Sequence, residues 1–267
     1  MVFKRRILRK RPVGLRKVGR KRPYSKKPAV AVRNYVQRAI SRNTETKFHS
    51  TTYTYTAFNG GINSTADVID ILPSIVLGTG QSSRVGHKIQ PVRLEITGYV
   101  AYTTDAYNDA RMLGGRLFVY QDKTVRSYAN NTIVNYNLLN LGGTSTNFTG
   151  TAMNFITPHN NDLFKFFMDK KMVFMKPFGV TNNVGVPSST ASMTSMDKSL
   201  FHPFKLVLTK KHLPAVLSYD TTDNANYPTN FAPKMSLGYC DLLNYNPDSV
   251  PVQLGMEFCA TLYYKDA

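Results

Sequence analysis

The 267-residue chain has no tryptophan, two cysteines, and only 16 Asp and Glu against 34 Lys and Arg, a formal net charge of +18. Cys240 and Cys259 cannot by themselves build a disulfide framework or a four-ligand zinc site, so both are expected to act as small buried hydrophobes. No apolar run approaches the roughly 18–20 residues that a membrane span needs. The N-terminus is too charged for a secretory signal peptide, and no membrane insertion is expected. A 42% hydrophobic content nevertheless provides for a folded core. At about 100–200 residues per domain, the length suits one large domain or two small ones.

Groups able to converge for chemistry are also scarce. His49, His87, His159, His202 and His212 are scattered, with neither an H-x-x-x-H nor an H-E-x-x-H pair. There is no G-x-S-x-G nucleophile elbow. The stretch Gly78-Thr79-Gly80-Gln81-Ser82-Ser83-Arg84 lacks the Gly-Lys-Ser/Thr ending of a phosphate loop, and a strand rather than a helix is expected after it. Asp105 with Asp109, and Asp220 with Asp223, lack the glycine and ligand spacing of a calcium loop. The sequence therefore predicts no catalytic residue, no metal site, no cofactor and no enzyme.

What the chain does have is charge in one place. Residues 1–42 hold 16 cations and no acid: Lys4, Arg5, Arg6, Arg9, Lys10, Arg11, Arg16, Lys17, Arg20, Lys21, Arg22, Lys26, Lys27, Arg33, Arg38 and Arg42. Residues 43–267 carry the other 18 cations and all 16 acids, a net of only +2. A block this dense repels itself and is expected to stay extended and largely disordered until a polyanion neutralises it. Its affinity for nucleic acid arises from counterion release, which is salt-dependent and blind to sequence. Ten of the 16 cations are arginine, whose guanidinium can fork around a phosphate.

Nucleic acid is therefore the expected partner of all 16. Lys4, Arg5, Arg6, Arg9, Lys10, Arg11, Arg16, Lys17, Arg20, Lys21 and Arg22 also suit a nuclear-import address, a role compatible with nucleic-acid binding. A solvated tail or an acidic membrane surface are the alternatives, although residues 1–27 lack an aromatic or leucine face that would insert. Residues 28–42, with Val32, Val36 and Ile40 at four-residue spacing, read either as a short helix or as a linker.

From Lys47 onward, alternation dominates. Residues 49–58 form a Thr/Tyr strand that ends at the turn signal Asn59-Gly60-Gly61. Residues 68–72, 90–103, 116–121, 171–176, 201–209, 215–219, 235–242 and 252–264 are further candidates. Leu94, Ile96, Val100 and Tyr102 share one face; Leu254, Met256, Phe258, Ala260, Leu262 and Tyr264 share another. Residues 160–168 read as a turn or two of helix. The expected fold is all-β: a single eight-stranded jelly roll of two packed antiparallel sheets with long loops, spanning 43–267 behind a basic arm at 1–42.

The order of these features carries a resemblance. A dense Arg/Lys arm, a short junction and a Thr/Tyr first strand precede Gln81-x-x-Arg84-x-Gly86-x-x-Ile89, which runs into Leu94-x-Ile96-x-Gly98. In this order the chain resembles capsid proteins of small circular single-stranded DNA viruses of the circovirus and cyclovirus kind, the Rep-encoding circular DNA virus group. The resemblance implies a viral jelly-roll subunit of a sixty-copy (T=1) icosahedral shell that self-assembles and packages single-stranded DNA on its arm. It further implies use of host nuclear import, with residence in the virion and, during assembly, in the host nucleus. Sixty arms would bring roughly 960 positive charges to the genome. Gln81, Arg84, Gly86 and Ile89 are then a structural loop motif: Arg84 is expected to brace the loop, and Gly86 to adopt a backbone geometry closed to other residues. The coat of a small or satellite RNA virus, and a non-viral architectural nucleic-acid-binding protein, remain the alternative readings.

Overall fold

In the computed structural model, the described residues are Val32, Tyr35, Val36, 45–57, 60–102, 112–128, 136–175, 200–221, 226–242 and 254–266. The chain divides into two units, Met1–Asn43 and Thr44–Ala267. Of the first, Val32, Tyr35 and Val36 are described; they are helical and exposed.

The second unit contains eleven described strands: β1 (Lys47–Ala57), β2 (Ile69–Asp70), β3 (Lys88–Tyr102), β4 (Met112–Asp122), β5 (Leu139–Leu141), β6 (Thr144–Thr146), β7 (Phe164–Met175), β8 (Phe201–Thr209), β9 (Leu217–Ser218), β10 (Pro233–Asp241) and β11 (Leu254–Asp266). One short helix, α1 (Ala152–Ile156), and a 3-10 turn at Thr65–Asp67 complete it. One sheet runs β1-β11-β3-β8 with β9 beside β3, a second runs β2-β10-β4-β7, and β5 and β6 form a separate hairpin. All these pairings are antiparallel.

With β5, β6 and β9 set aside, the eight remaining strands in chain order give 1-8-3-6 in one sheet and 2-7-4-5 in the other. That interleaving, in which first and last strands pair and the chain crosses repeatedly between sheets, is the double Greek key of a jelly roll. The fold is all-β, as the alternation predicts.

The main core lies between the sheets. Leu94, Ile96 and Val100 from β3 and Leu254, Met256, Ala260 and Leu262 from β11 meet Leu113, Leu117 and Val119 from β4, Leu237 from β10 and Phe174 from β7. Side chains two apart share a face of a strand, so the alternation in β3 and β11 places these residues inside without further instruction. Tyr53 and Tyr55 pack against this core from β1, and the Tyr53 ring stacks on Phe258 at 4.8 Å.

Gly98 sits on that inward face opposite Phe258. A Cβ at Gly98 would lie 2.4 Å from both the Phe258 Cβ and the Glu257 carbonyl oxygen. The glycine of the Leu-x-Ile-x-Gly phrase therefore lets β11 and its aromatic ring lie close against β3.

A second core forms on the other side of β4. Ile62, Phe118, Tyr120, Leu138, Leu139, Phe148 and Phe164 cluster there. Leu138, Leu139 and Phe148, in and beside the β5–β6 hairpin, lie in the stretch 122–160 where the sequence predicts a long loop. α1 belongs to the same covering layer: Phe155 lies against Gly114, and Asn154 Oδ1 accepts from the backbone N–H groups of Thr149 and Thr151.

The expected helix at residues 160–168 is not formed. Residues 161–163 make a turn, and β7 starts at Phe164. A β-bulge explains the misleading pattern, because Val119 pairs with Met168 and Tyr120 with Phe166, leaving Phe167 as the extra residue. Phe164 and Phe166 consequently face the second core, while Met168, Met172 and Phe174 face the first. The resulting apolar run imitates helical spacing.

Candidate nucleic-acid interface

The 16 cations from Lys4 to Arg42 that the sequence assigns to nucleic acid, and the import-signal candidates among them, lie outside the described residues. So do Asp105, Asp109 and Asp223; Asp220 is exposed.

The loop motif is described in full. Arg84 is completely buried, with Nε donating to the Ile75 carbonyl at 3.3 Å and Nη1 to the Gly86 carbonyl at 2.7 Å. Its guanidinium lies 4.2 Å from the centroid of the Tyr219 ring. The Arg84 backbone continues the tie: its N–H donates to Val76 and its carbonyl accepts from Gly78. Val85 N–H reaches the Asp266 carboxylate, which also pairs with Lys47 at 2.8 Å. The loop is thus fastened to the first residue of β1 and the last of β11. Ile89 is buried in the main core and Gln81 is exposed in the turn.

Gly86 differs from expectation. Its φ is not among the left-handed values, and a Cβ there would have open space. Its structural contribution is the carbonyl that receives Arg84, which any residue could supply.

A buried charge cluster joins β4, β7 and the covering loops. Arg116, 1% exposed, donates Nε and Nη2 to the two carboxylate oxygens of Asp169 at 2.8 and 2.6 Å. Nη1 donates to the carbonyls of Asn154 and Thr157, each at 2.6 Å. His159 Nδ1 lies 3.1 Å from Asp169. Burial works against the Asp169 carboxylate, but the hydrogen bonds and charge of Arg116, then His159, outweigh it and hold the carboxyl below its ordinary value. This cluster anchors loop to sheet.

Cys240 is buried, its thiol directed to the Gly114 carbonyl, and burial pushes its pKa up to about 11. Cys259 departs from the expected burial; it sits half-exposed on the outward side of β11. His202 hydrogen-bonds the Val173 carbonyl, and His212 meets the Phe167 ring edge-on. Among the described residues, no three His, Cys, Asp or Glu side chains are grouped so as to hold a metal ion.

One feature was not legible in the sequence. A cleft of about 300 Å³ opens where β4 ends, β7 begins and the segments after β8 and before β10 meet. Lys123, Arg126, Lys165, Lys211 and His212 line it, all exposed, over the buried side chains of Leu213 and Phe231. Lys165 Nζ also lies 5.2 Å from the centroid of Phe167. The single carboxylate in the lining, Asp122, is occupied through Oδ1 by Thr124 and Val125 of its own turn. The cations come from three distant stretches of chain, so no local run of charge announces them.

No protein-family model and no curated protein sequence matches the chain. Among solved structures, it is similar to a chain of the heated full particle of Israeli acute paralysis virus, at 11% identity and a TM-score of 0.32 over 100% of this chain and 81% of that one. A chain of Desmodium yellow mottle tymovirus gives 12% identity and a TM-score of 0.26, over 83% of each. The VP2 subviral particle of infectious bursal disease virus gives 11% and 0.21, covering 84% of this chain and 42% of that one. The fold assignment rests on the strand order described above.

Proposed function

We propose that the chain is a viral capsid subunit whose residues 43–267 build the shell and whose residues 1–42 bind the packaged genome. The observation that carries the reading is the pairing of a nearly neutral jelly roll with a segment of 16 cations and no acids. Subunits that must close into a shell are favoured by low net charge on the shell domain, because like-charged walls repel. The polyanion needs the opposite, and the division of charge along the chain meets both demands. The resemblance to circovirus-like coats supports sixty copies and a single-stranded DNA cargo. The import-like clusters between Lys4 and Arg22 support passage through the host nucleus before incorporation into the virion. In this reading the protein works by assembly and not by catalysis.

Expression followed by electron microscopy and nuclease digestion tests the proposal. Uniform spherical particles that protect nucleic acid are expected; a monomer with no salt-dependent binding refutes it. DNase and RNase sensitivity of the released cargo separates DNA from RNA. Removal of residues 1–42 is expected to leave the domain folded and to abolish encapsidation, and undiminished nucleic-acid binding would refute the role of the arm.

A further inference from the structure

The cleft between β4, β7 and the segments flanking β9 combines an exposed cationic rim with an apolar floor. Lys123 Nζ is drawn to the Asn161 carbonyl, and Lys165 lies over an aromatic ring. Among the described residues, none of Lys123, Arg126, Lys165 and Lys211 is in an ion pair with a carboxylate. Four cations around one internally occupied carboxylate make a strongly positive concavity, whose low-dielectric walls concentrate the field on an anion. Its volume of about 300 Å³ falls at the lower end of small-ligand sites.

We infer that this cleft is a second nucleic-acid site, which seats one phosphodiester of a single strand against Lys123, Arg126, Lys165 and Lys211 with the attached base or sugar on Leu213 and Phe231.

The lining of the cleft favours a nucleic-acid strand over other polyanions. Beneath the cationic rim the floor is apolar, formed by the nearly covered side chains of Leu213 and Phe231, and it offers a base or sugar of the strand an apolar contact beside the phosphate. The cleft lies at the end of the sandwich where β1 starts, on the side of β8, at the opposite edge of that sheet from β1. Asn230 holds the neighbouring segment in place, accepting from Ser218 N–H at 3.1 Å and donating to the Val216 carbonyl at 2.8 Å. The site is thus largely pre-formed.

The inference rests on the proposed packaging function, and the test separates the two. Full-length protein is photocrosslinked to 4-thiothymidine-bearing DNA and to the matching 4-thiouridine RNA, and the adducts are mapped by peptide. Adducts are expected in residues 121–126, 163–167 and 211–214 as well as in 1–42. Lys165→Gln with Lys211→Gln should remove the cleft adducts, keep the others, and lower the slope of log affinity against log salt by about 0.7, the share of one phosphate contact on a single strand. Both lysines are exposed, and Lys165→Arg with Lys211→Arg should restore adducts and slope alike. Adducts confined to 1–42 with an unchanged slope would overturn the cleft and leave the packaging reading standing. Absence of adducts everywhere would overturn both. Protection of the cleft lysines from acetylation by heparin oligosaccharide, but not by oligonucleotide, would overturn it in favour of a sulfated glycan.

Discussion

In the sheet β1-β11-β3-β8, one face is dry and the other presents Ser50, Thr52, Thr54, Thr97, Lys205 and Glu257 to solvent. In the sheet β2-β10-β4-β7, both faces of the central strands are covered, so that every residue of β10 is buried. The second sheet faces its partner on one side and a layer of loops, hairpin and helix on the other. The difference shows where alternation ceases to inform. Period two marks the boundary between core and water, and it fades where a second layer replaces the water. Polar residues at outward positions of the covered sheet then have to find partners within the protein, since an unpaired buried polar group is costly. Arg116 finds Asp169 and two carbonyls, and Ser236 pairs with the Tyr120 hydroxyl at 3.1 Å.

The largest test of this contrast is truncation on the two outward faces. Phe118→Ala, beneath Phe148 and Phe166, is expected to cost about 4 kcal/mol in urea unfolding. Thr97→Ala, outward on the solvent-facing sheet, should stay within about 0.5 kcal/mol. Equal costs would mean that the covering layer contributes no packing.

Asp169→Asn comes next. It removes the charge that pairs with a buried guanidinium and is expected to cost about 3 kcal/mol at neutral pH. Because the folded-state carboxyl is held below its ordinary value, its contribution is complete above the usual carboxylate range. That contribution is lost as the pH falls through the lowered value. The acid limb of the wild-type stability curve should therefore be steeper than that of Asp169→Asn, and parallel limbs would remove the ion pair from the account.

The smallest effect compares two glycines of the motif region. Gly98→Ala pushes a Cβ into the β11 backbone and should cost about 2 kcal/mol, whereas Gly86→Ala enters open space and should fall within about 0.5 kcal/mol. A reversed order in thermal melts would return the conformational role to Gly86.

The solvent-facing sheet was the readable one. The inward series of β3 and β11 and the bounds of β8 follow from residues two apart, and the Thr/Tyr composition of β1 marks a strand with one wet face. β7 was misread because the extra residue Phe167 shifts the alternation midway, and that bulge is decided by the pairing with β4. The sequence points to the loop motif, but Gly86 has neither a left-handed φ nor a crowded Cβ position, and the glycine that a close approach requires is Gly98, against β11. Nothing local to Lys123, Lys165 or Lys211 shows that they share a cleft.

The sequence by itself determined the split between a polycationic segment and a nearly neutral domain, and the β character of that domain. Both are sums or short-period patterns along the chain. Tertiary structure alone decided which sheet is covered twice, where β7 bulges, how Arg116 is neutralised and which cations converge. Each of those depends on contacts between residues dozens to more than a hundred positions apart, whose energy no local window contains.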